Sequence, residues 1–200
     1  MASSPLSTTA YASEHFMEGA GAVLFRLSDR KICLIQDRAT GEWLLASGRR
    51  NIDEERQTAA LRGVWRKTGY CCRMLPITLK TWAPLCYDEG ELDVVDEARE
   101  EAGTCEPFMF PHRTSRSGAF KITWWYVAAM NEQNPAPEDT EFETRLFDFE
   151  GAAQTLTYQS DRDVVHKAIA IFRTSFAELL GDVIRWALDD QWCPGAYAQQ

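Results

Sequence analysis

One stretch, from residue 48 to residue 70 (GRRNIDEERQTAALRGVWRKTGY), constrains the fold of this chain more than any other. Asn51 followed three residues later by Glu54 fits a capping box, in which each side chain bonds a backbone N–H at the start of a helix. Gly69 supplies the left-handed residue with which many helices end. The pattern predicts one helix over residues 52–68 that packs against a sheet. Its buried stripe is formed by side chains at helical spacing: Ala60, Leu61, Val64 and Thr68.

Short apolar segments on both sides of this helix are typical of β-strands. Residues 19–27 and 31–38 are separated by a turn-like Ser-Asp-Arg and predict a hairpin. Adjacent tryptophans, Trp124 and Trp125, face opposite sides of any strand that holds them. Further strands are predicted at 42–46, 71–85, 104–110, 120–130 and 144–149, and two more helices at 150–156 and 161–183.

The order of these segments predicts an α+β fold built as one domain. We expect a loose arm over residues 1–17, a domain over residues 18–186 and a polar tail over residues 187–200. A hydrophobic fraction of 45% is enough for an ordinary core.

Charge and cysteine usage narrow the class of protein. A formal net charge of −9 argues against a nucleic-acid surface, which needs a basic stripe. The sequence holds no apolar run long enough to span a membrane and no secretory signal at its start. Six scattered cysteines without a CxxC pair indicate buried thiols in a reducing compartment, so we expect a cytoplasmic protein without structural zinc. The sequence leaves open whether the protein forms a homo-oligomer.

The stretch around the first helix also resembles the Nudix box, the signature of enzymes that hydrolyse nucleoside diphosphates linked to another moiety. The box reads glycine, five residues, glutamate, seven residues, then Arg-Glu-aliphatic-any-Glu-Glu-any-Gly. Five of its positions match this chain: Gly48, Glu54, Arg62, Val64 and Gly69. The resemblance implies an αβα sandwich around a mixed β-sheet, and it extends over about residues 18 to 180.

The three box glutamates that hold the metal in that family do not match. Their positions carry Gly63, Arg66 and Lys67, which changes the local formal charge from −3 to +2. A divalent ion about 5 Å from one ammonium would be repelled by roughly 6–7 kcal/mol at an effective dielectric constant of about 20. We therefore expect no metal and no other cofactor at the box. The mid-helix Gly63 reflects either drift or space for a ligand.

An acidic run over residues 87–103 leaves two interpretations open. It could supply replacement metal ligands, or it could form a solvated loop or short helix, which is the commoner meaning of a charge run. Its carboxylates are Asp88, Glu89, Glu91, Asp93, Asp96, Glu97, Glu100 and Glu101.

The resemblance places a ligand cleft beside the box helix, and three functions compete for it. The first is an enzyme that isomerises or cyclises a small metabolite by metal-independent acid–base chemistry. The second is a silent binding or regulatory module, and the third is a residual magnesium-dependent hydrolase. We place the first ahead, with Glu54 and His112 as its catalytic pair. The predicted substrate-binding residues are Arg49, Arg50, Arg62, Arg66, Lys67 and Trp124. For Arg66 and Lys67, complementing the helix dipole is the alternative role.

Overall fold

The computed structural model describes residues 9–83, 97–114, 119–132 and 141–176. A short 3-10 helix at Ser13–His15 precedes the first strand. In chain order the elements are β1 (Phe16–Arg26), β2 (Lys31–Asp37), β3 (Trp43–Leu44), β4 (Ser47–Arg49), α1 (Arg56–Thr68), β5 (Cys72–Met74), β6 (Ile77–Thr81), β7 (Arg99–Thr104), β8 (His112–Thr114), β9 (Phe120–Met130), β10 (Phe142–Phe147), α2 (Phe149–Thr155) and α3 (Gln159–Ser175).

The main sheet is mixed and has the strand order β10-β2-β1-β9-β5. The long strands β1 and β9 run parallel, while the other pairs are antiparallel. Three short strands extend this path, since β3 pairs with β2, β4 with β1 and β8 with β9. The β6-β7 hairpin forms a separate small sheet.

The two faces of the main sheet bury two separate clusters because side chains alternate along each strand. In β1, Ala22 and Leu24 pack with α1, whereas Val23 and Phe25 pack with α2 and α3. The helix stripe predicted from the sequence is buried as expected, with Ala60 and Val64 fully covered. The sheet therefore lies between helices, and the predicted αβα architecture is confirmed.

The first helix begins at Arg56 rather than at residue 52. Asp53 lies in the left-handed region at φ 60°, so the chain turns at residues 52–53 instead of continuing as helix. The Glu54 carboxylate accepts a hydrogen bond from the Asn51 backbone nitrogen at 2.8 Å, as in the predicted capping box. That contact closes the turn before the helix, and Glu55 is the N-cap. Gly69 ends the helix at φ 71°, as predicted.

Two further differences in the strands lie beside prolines. The predicted strand over 71–85 divides at Pro76 into β5 and β6, since proline cannot donate to a ladder. The predicted strand over 104–110 is wrong, because β7 ends at Thr104. Beyond it, between Pro107 and Pro111, a single bridge joins Met109 to Trp125.

The helices and the termini show smaller differences. Helices α2 and α3 begin one and two residues earlier than predicted, and residues 177–183 of the predicted third helix lie outside the described residues. Strand β1 begins at Phe16, inside the predicted N-terminal arm. The predicted C-terminal tail and residues 87–96 of the acidic run also lie outside the described part, while residues 99–104 form β7.

The prediction of buried thiols holds for two of the four described cysteines. Cys33, Cys71, Cys72 and Cys105 are free, and the first and third of these are buried. Burial raises the pKa of the Cys72 thiol to about 12. The other two cysteines, Cys86 and Cys193, lie outside the described residues. Within the described part of the chain, no helix is both long and apolar enough to cross a membrane.

Candidate binding cleft

Helix α1 packs directly on the backbone of β4, and Gly63 makes this possible. A Cβ atom at position 63 would lie 2.6 Å from the Gly48 nitrogen and 3.1 Å from the Gly48 Cα. Real Cβ atoms do not approach backbone this closely, so the helix or the strand would have to move. The space beside Gly63 is therefore occupied by the protein itself, and the glycine is explained by packing rather than by drift or by room for a ligand.

The segment before α1 is fixed by an ion pair between Glu54 and Arg62. Arg62 Nε donates to Glu54 Oε1 at 2.6 Å, and Arg62 Nη2 donates to Oε2 at 2.8 Å. The same Nη2 donates to the Arg49 carbonyl at 2.7 Å. Only 10% of the Glu54 side chain is exposed. The Arg62 hydrogen bonds lower the pKa of Glu54, and they outweigh the burial that raises it.

A second acidic centre, Glu18 on β1, lies near the start of α1. Its carboxylate accepts hydrogen bonds from Arg50 Nε at 2.8 Å, Arg56 Nε at 2.5 Å and Trp124 Nε1 at 2.7 Å. The Arg56 guanidinium also lies 4.6 Å from the centroid of a Trp124 ring. Burial raises the pKa of Glu18, but the hydrogen bonds from Arg56, Arg50 and Trp124 together lower it. Arg50 and Trp124, both predicted to bind substrate, therefore have protein partners here.

Two adjoining pockets open beside the other end of α1. The outer pocket, of about 490 Å³, lies between α1, β4 and β10. The inner pocket, of about 230 Å³, lies between β3, β8, β9 and the start of α3. Ser47 and Lys67 line both, so we treat the two pockets as one cationic cleft.

The charge of this cleft is opposite to that of the whole chain. Among the described residues that line it, three are carboxylates: Glu42, Glu141 and Asp161. Six are cationic: Arg49, Arg62, Arg66, Lys67, Arg113 and Lys121. A cationic surface of this kind on a chain with a net charge of −9 points to an anionic ligand.

Lys67 is the central cation of the cleft. Its side chain is half-buried, and Nζ lies 5.1 Å from the centroid of the Phe142 ring. Burial lowers the pKa of Lys67, and the charge of Lys121 lowers it further, while Asp37 opposes both. Within the described part of the chain, no carboxylate oxygen lies within 4 Å of the Lys67, Lys121 or Arg66 nitrogens.

The inner pocket holds a carboxyl group in an unusual setting. Asp161, in the first turn of α3, lies 3.4 Å from an Arg113 nitrogen and accepts a hydrogen bond from the Leu45 backbone. Burial nevertheless raises the pKa of Asp161. Nearby, the Tyr158 hydroxyl donates to the Glu42 carboxylate at 2.6 Å.

Trp125 lines the inner pocket with a buried donor. The residue is only 4% exposed, and among the described residues its indole Nε1 has no hydrogen-bond acceptor. Gly21 leaves room for this ring, since a Cβ there would lie 2.7 Å from Trp125 Cζ3. The ring therefore forms part of the pocket wall, while its Nε1 is enclosed by the protein.

The predicted site residues thus divide between the cleft and other positions. Arg49, Arg62, Arg66 and Lys67 line the outer pocket. His112 is exposed on β8 and stacks on Phe120 at a centroid distance of 4.9 Å. It is not among the residues that line either described pocket.

Sequence reasoning missed other residues of the cleft. Asp161, Lys121 and Trp125 are distant in sequence from the box helix, and nothing in their local pattern indicates a site. Arg113, next to His112 on β8, also lines the inner pocket.

Comparisons with solved structures decide the fold family, whereas no family model and no curated protein sequence matches the chain. A C. elegans Ap4A hydrolase aligns over 79% of this chain and 98% of its own, at 14% identity and a TM-score of 0.53. A NUDIX-family hydrolase from Clostridium perfringens aligns over 80% and 99%, at 14% identity and a TM-score of 0.51. A NUDIX hydrolase from Nitrosomonas europaea aligns over 77% of this chain and 88% of its own, at 14% identity and a TM-score of 0.51. The chain has the Nudix fold.

The side chains of this Nudix-fold protein do not suit the metal that its fold family implies. On the alignment given by the box resemblance, the three carboxylate positions hold Gly63, Arg66 and Lys67. Among the described residues, no group of three or more His, Cys, Asp or Glu side chains could hold a metal ion. Hard divalent cations require oxygen ligands, whereas this end of α1 presents two cations and a close backbone contact.

Proposed function

We propose that this Nudix-fold protein binds a small anionic metabolite in the cationic cleft without a divalent metal. One observation carries the proposal: Arg66, Lys67 and Lys121 line the cleft, and within the described residues no carboxylate lies within 4 Å of their nitrogens. A ligand that carries phosphate or carboxylate groups would supply the missing counter-charge.

The burial of Lys67 strengthens this argument. A half-buried ammonium loses part of its hydration, and a neighbouring cation adds repulsion, as the lowered pKa of Lys67 reflects. A protein that needed Lys67 only for folding would gain by exposing or pairing it. An anion bound between Lys67, Lys121 and Arg66 would offset both costs.

Metal-dependent hydrolysis is less well supported by the residues of this chain. The structural neighbours are named as hydrolases, but their identity to this chain is only 14% in the three cases described. The third function derived from the sequence needs carboxylates outside the box helix. Positions 88–96 of the acidic run lie outside the described residues, so they add no support.

Calorimetric titration with inorganic pyrophosphate in EDTA tests the proposal. We expect saturable binding, weakened at least about tenfold, or about 1.4 kcal/mol, by the double variant Arg66→Gln/Lys67→Gln. The matched control is Lys80→Gln/Lys167→Gln, which removes the same charge from exposed positions on β6 and α3. Equal weakening by both pairs would reduce the effect to general electrostatics and would contradict a specific site.

A second candidate function is metal-independent acid–base conversion of the bound molecule. It is favoured by one observation: the inner pocket places a carboxyl of raised pKa, Asp161, with an amine of lowered pKa, Lys67. Groups whose pKa values are moved toward neutrality are typical of proton-transfer sites. Asp161→Asn is expected to abolish turnover in EDTA, followed by NMR on a metabolite mixture, while pyrophosphate binding persists.

The sequence-based catalytic pair, Glu54 and His112, stays a prediction beside this candidate. We propose a structural role for Glu54, because both of its oxygens are already bound by Arg62. If Glu54→Gln and His112→Ala each abolished turnover without lowering the melting temperature, the sequence-based assignment would be preferred.

A further inference from the structure

Resting on the proposed anion-binding function, we propose that the ligand is a carbonyl compound and that the Lys67 amine condenses with it to form an imine. The ligand class is an aldehyde or ketone that also carries a phosphate or carboxylate group. Binding of the anionic group orients the molecule, and the reaction at Lys67 holds it covalently.

The position of Lys67 at the junction of the two pockets supports this chemistry. An anionic group bound in the outer pocket beside Arg49 and Arg66 leaves the rest of a small molecule next to the Lys67 amine. The inner pocket, lined by Trp125 and Asp161, then receives the carbonyl end.

The other lysines of the chain lack this combination of features. The sequence contains five lysines. Lys31 is paired with Asp29 at 3.1 Å, and Lys80 and Lys167 are exposed on β6 and α3. Lys121 lines only the inner pocket and keeps more solvent contact than Lys67.

An amine must be neutral to attack a carbonyl carbon, and the surroundings of Lys67 favour the neutral form. Desolvation and a nearby cation are the two means by which proteins activate a lysine nucleophile. Both act on Lys67, whose pKa is lowered by burial and by Lys121 and raised in part by Asp37. The remaining charged groups of the cleft are Glu42, Arg49, Arg62, Arg66, Arg113, Glu141 and Asp161.

The condensation requires only the amine, the carbonyl compound and a proton donor. The Lys67 Nζ lone pair forms the new N–C bond while the C=O π electrons move to oxygen, which takes a proton. A proton then passes from nitrogen, the hydroxyl is protonated and leaves as water, and a C=N bond forms. We assign the proton transfers to Asp161, which lines the inner pocket together with Lys67: it donates a proton to the departing oxygen and accepts one from the nitrogen. No oxidant or reductant takes part.

Reductive trapping with pyridoxal 5′-phosphate as the probe tests the proposal. The protein in EDTA is mixed with the probe, reduced with borohydride and mapped by peptide mass spectrometry. We expect the adduct at Lys67 to exceed those at Lys80 and Lys167 at least about tenfold. Pyrophosphate should suppress labelling at Lys67 and leave the two exposed lysines unchanged. Labelling spread evenly over all lysines, or concentrated at Lys121, would overturn the assignment.

A matched ligand separates failure of this inference from failure of the proposed function. Pyridoxine 5′-phosphate carries the same anionic group but no carbonyl, and Lys67→Arg keeps the positive charge but removes the reactive amine. We expect pyridoxine 5′-phosphate to bind the wild type, and we expect Lys67→Arg to lose the trapped adduct at this position while the adducts at Lys80 and Lys167 stay unchanged. Binding of pyridoxine 5′-phosphate without an adduct at Lys67 would overturn the imine and leave anion binding intact. Absence of binding by both compounds and by pyrophosphate would overturn both proposals.

Discussion

The two ends of helix α1 differ in whether their charged side chains are paired with opposite charges. At its start, the carboxylates of Glu18 and Glu54 are both enclosed by arginines and little exposed. At its end, Arg66 and Lys67 face the cleft, with no carboxylate of the described residues within 4 Å. Carboxylates that are fully paired with arginines stabilise the fold. Cations beside a cavity that have no paired carboxylate favour the binding of an anion. This difference supports the proposal that the start of α1 serves folding and its end serves binding.

The contrast also separates two parts of one sequence motif. Glu54 and Arg62 match the Nudix box and form the ion pair that fixes the loop. On the alignment given by the box resemblance, the positions that differ are Gly63, Arg66 and Lys67, and all three line the outer pocket. A shared fold does not by itself determine a shared function.

The largest expected effect on stability comes from disturbing the contact between Gly63 of α1 and the backbone of β4. In an open helix, Gly63→Ala should stabilise the protein by about 1 kcal/mol, because alanine is the better helix former. Here the new Cβ would lie 2.6 Å from the Gly48 nitrogen, so we expect destabilisation of about 2–3 kcal/mol instead. Urea unfolding measures the sign. A stabilised variant would show that α1 and β4 are less closely packed than described.

The next effect concerns the saturated end of the helix. Glu54→Gln leaves the Arg62 guanidinium without its counter-charge in a place where little of either side chain is exposed. We expect a loss of about 2–3 kcal/mol, somewhat below the range for a fully buried pair. The double variant Glu54→Gln/Arg62→Gln should lose less than the sum of the single variants. Additive losses in a double-mutant cycle would show that the two residues act independently.

Acid should remove the same stabilisation. The pKa values of Glu18 and Glu54 in the folded protein lie below their ordinary value of 4.5. The stability that they contribute is therefore complete above pH 4.5 and is lost as the pH falls through the lower, folded-state values. A lowering by one pKa unit corresponds to about 1.4 kcal/mol. Glu54→Gln should flatten this acid limb in thermal melts between pH 5 and about 3, and an unchanged limb would contradict the assignment.

The smallest expected effect on stability is at the end of α1, where Arg66 and Lys67 lie. If the end of α1 serves binding, Arg66→Gln/Lys67→Gln should change the free energy of unfolding by only a few tenths to about 1 kcal/mol per residue, the value of a favourable charge at a helix C-terminus. Chemical denaturation without ligand provides the measurement. A much larger loss would mean that these cations stabilise the fold and would remove the distinction between the two ends.

Much of the fold could be predicted from periodicity and turn signals. The β1-β2 hairpin, the strand at 120–130 and the stripe of α1 all appear where the sequence placed them. The start of α1 differs from the prediction, because the Asn51–Glu54 pattern describes a local hydrogen bond that can also close a turn. The segment after β7 also differs from the prediction, because the bridge between Met109 and Trp125 joins residues from different parts of the sheet.

The site was harder to predict than the fold. Local patterns indicated Arg49, Arg66 and Lys67 because they belong to one motif. Asp161 and Lys121 join them only through the sheet order, which brings β9 and the start of α3 beside the end of α1. Gly63 shows the same limit, since its reason is the backbone of a different element.

The central claim is that the cleft binds an anion through cationic side chains and not through a metal. Its most direct test is one pyrophosphate titration of the wild-type protein in EDTA and a second in excess Mn²⁺. We predict saturable binding in EDTA and equal or weaker apparent binding with Mn²⁺, because free Mn²⁺ competes for the pyrophosphate. Binding that is absent in EDTA and becomes micromolar on adding Mn²⁺, which corresponds to about −8 kcal/mol, would contradict the account.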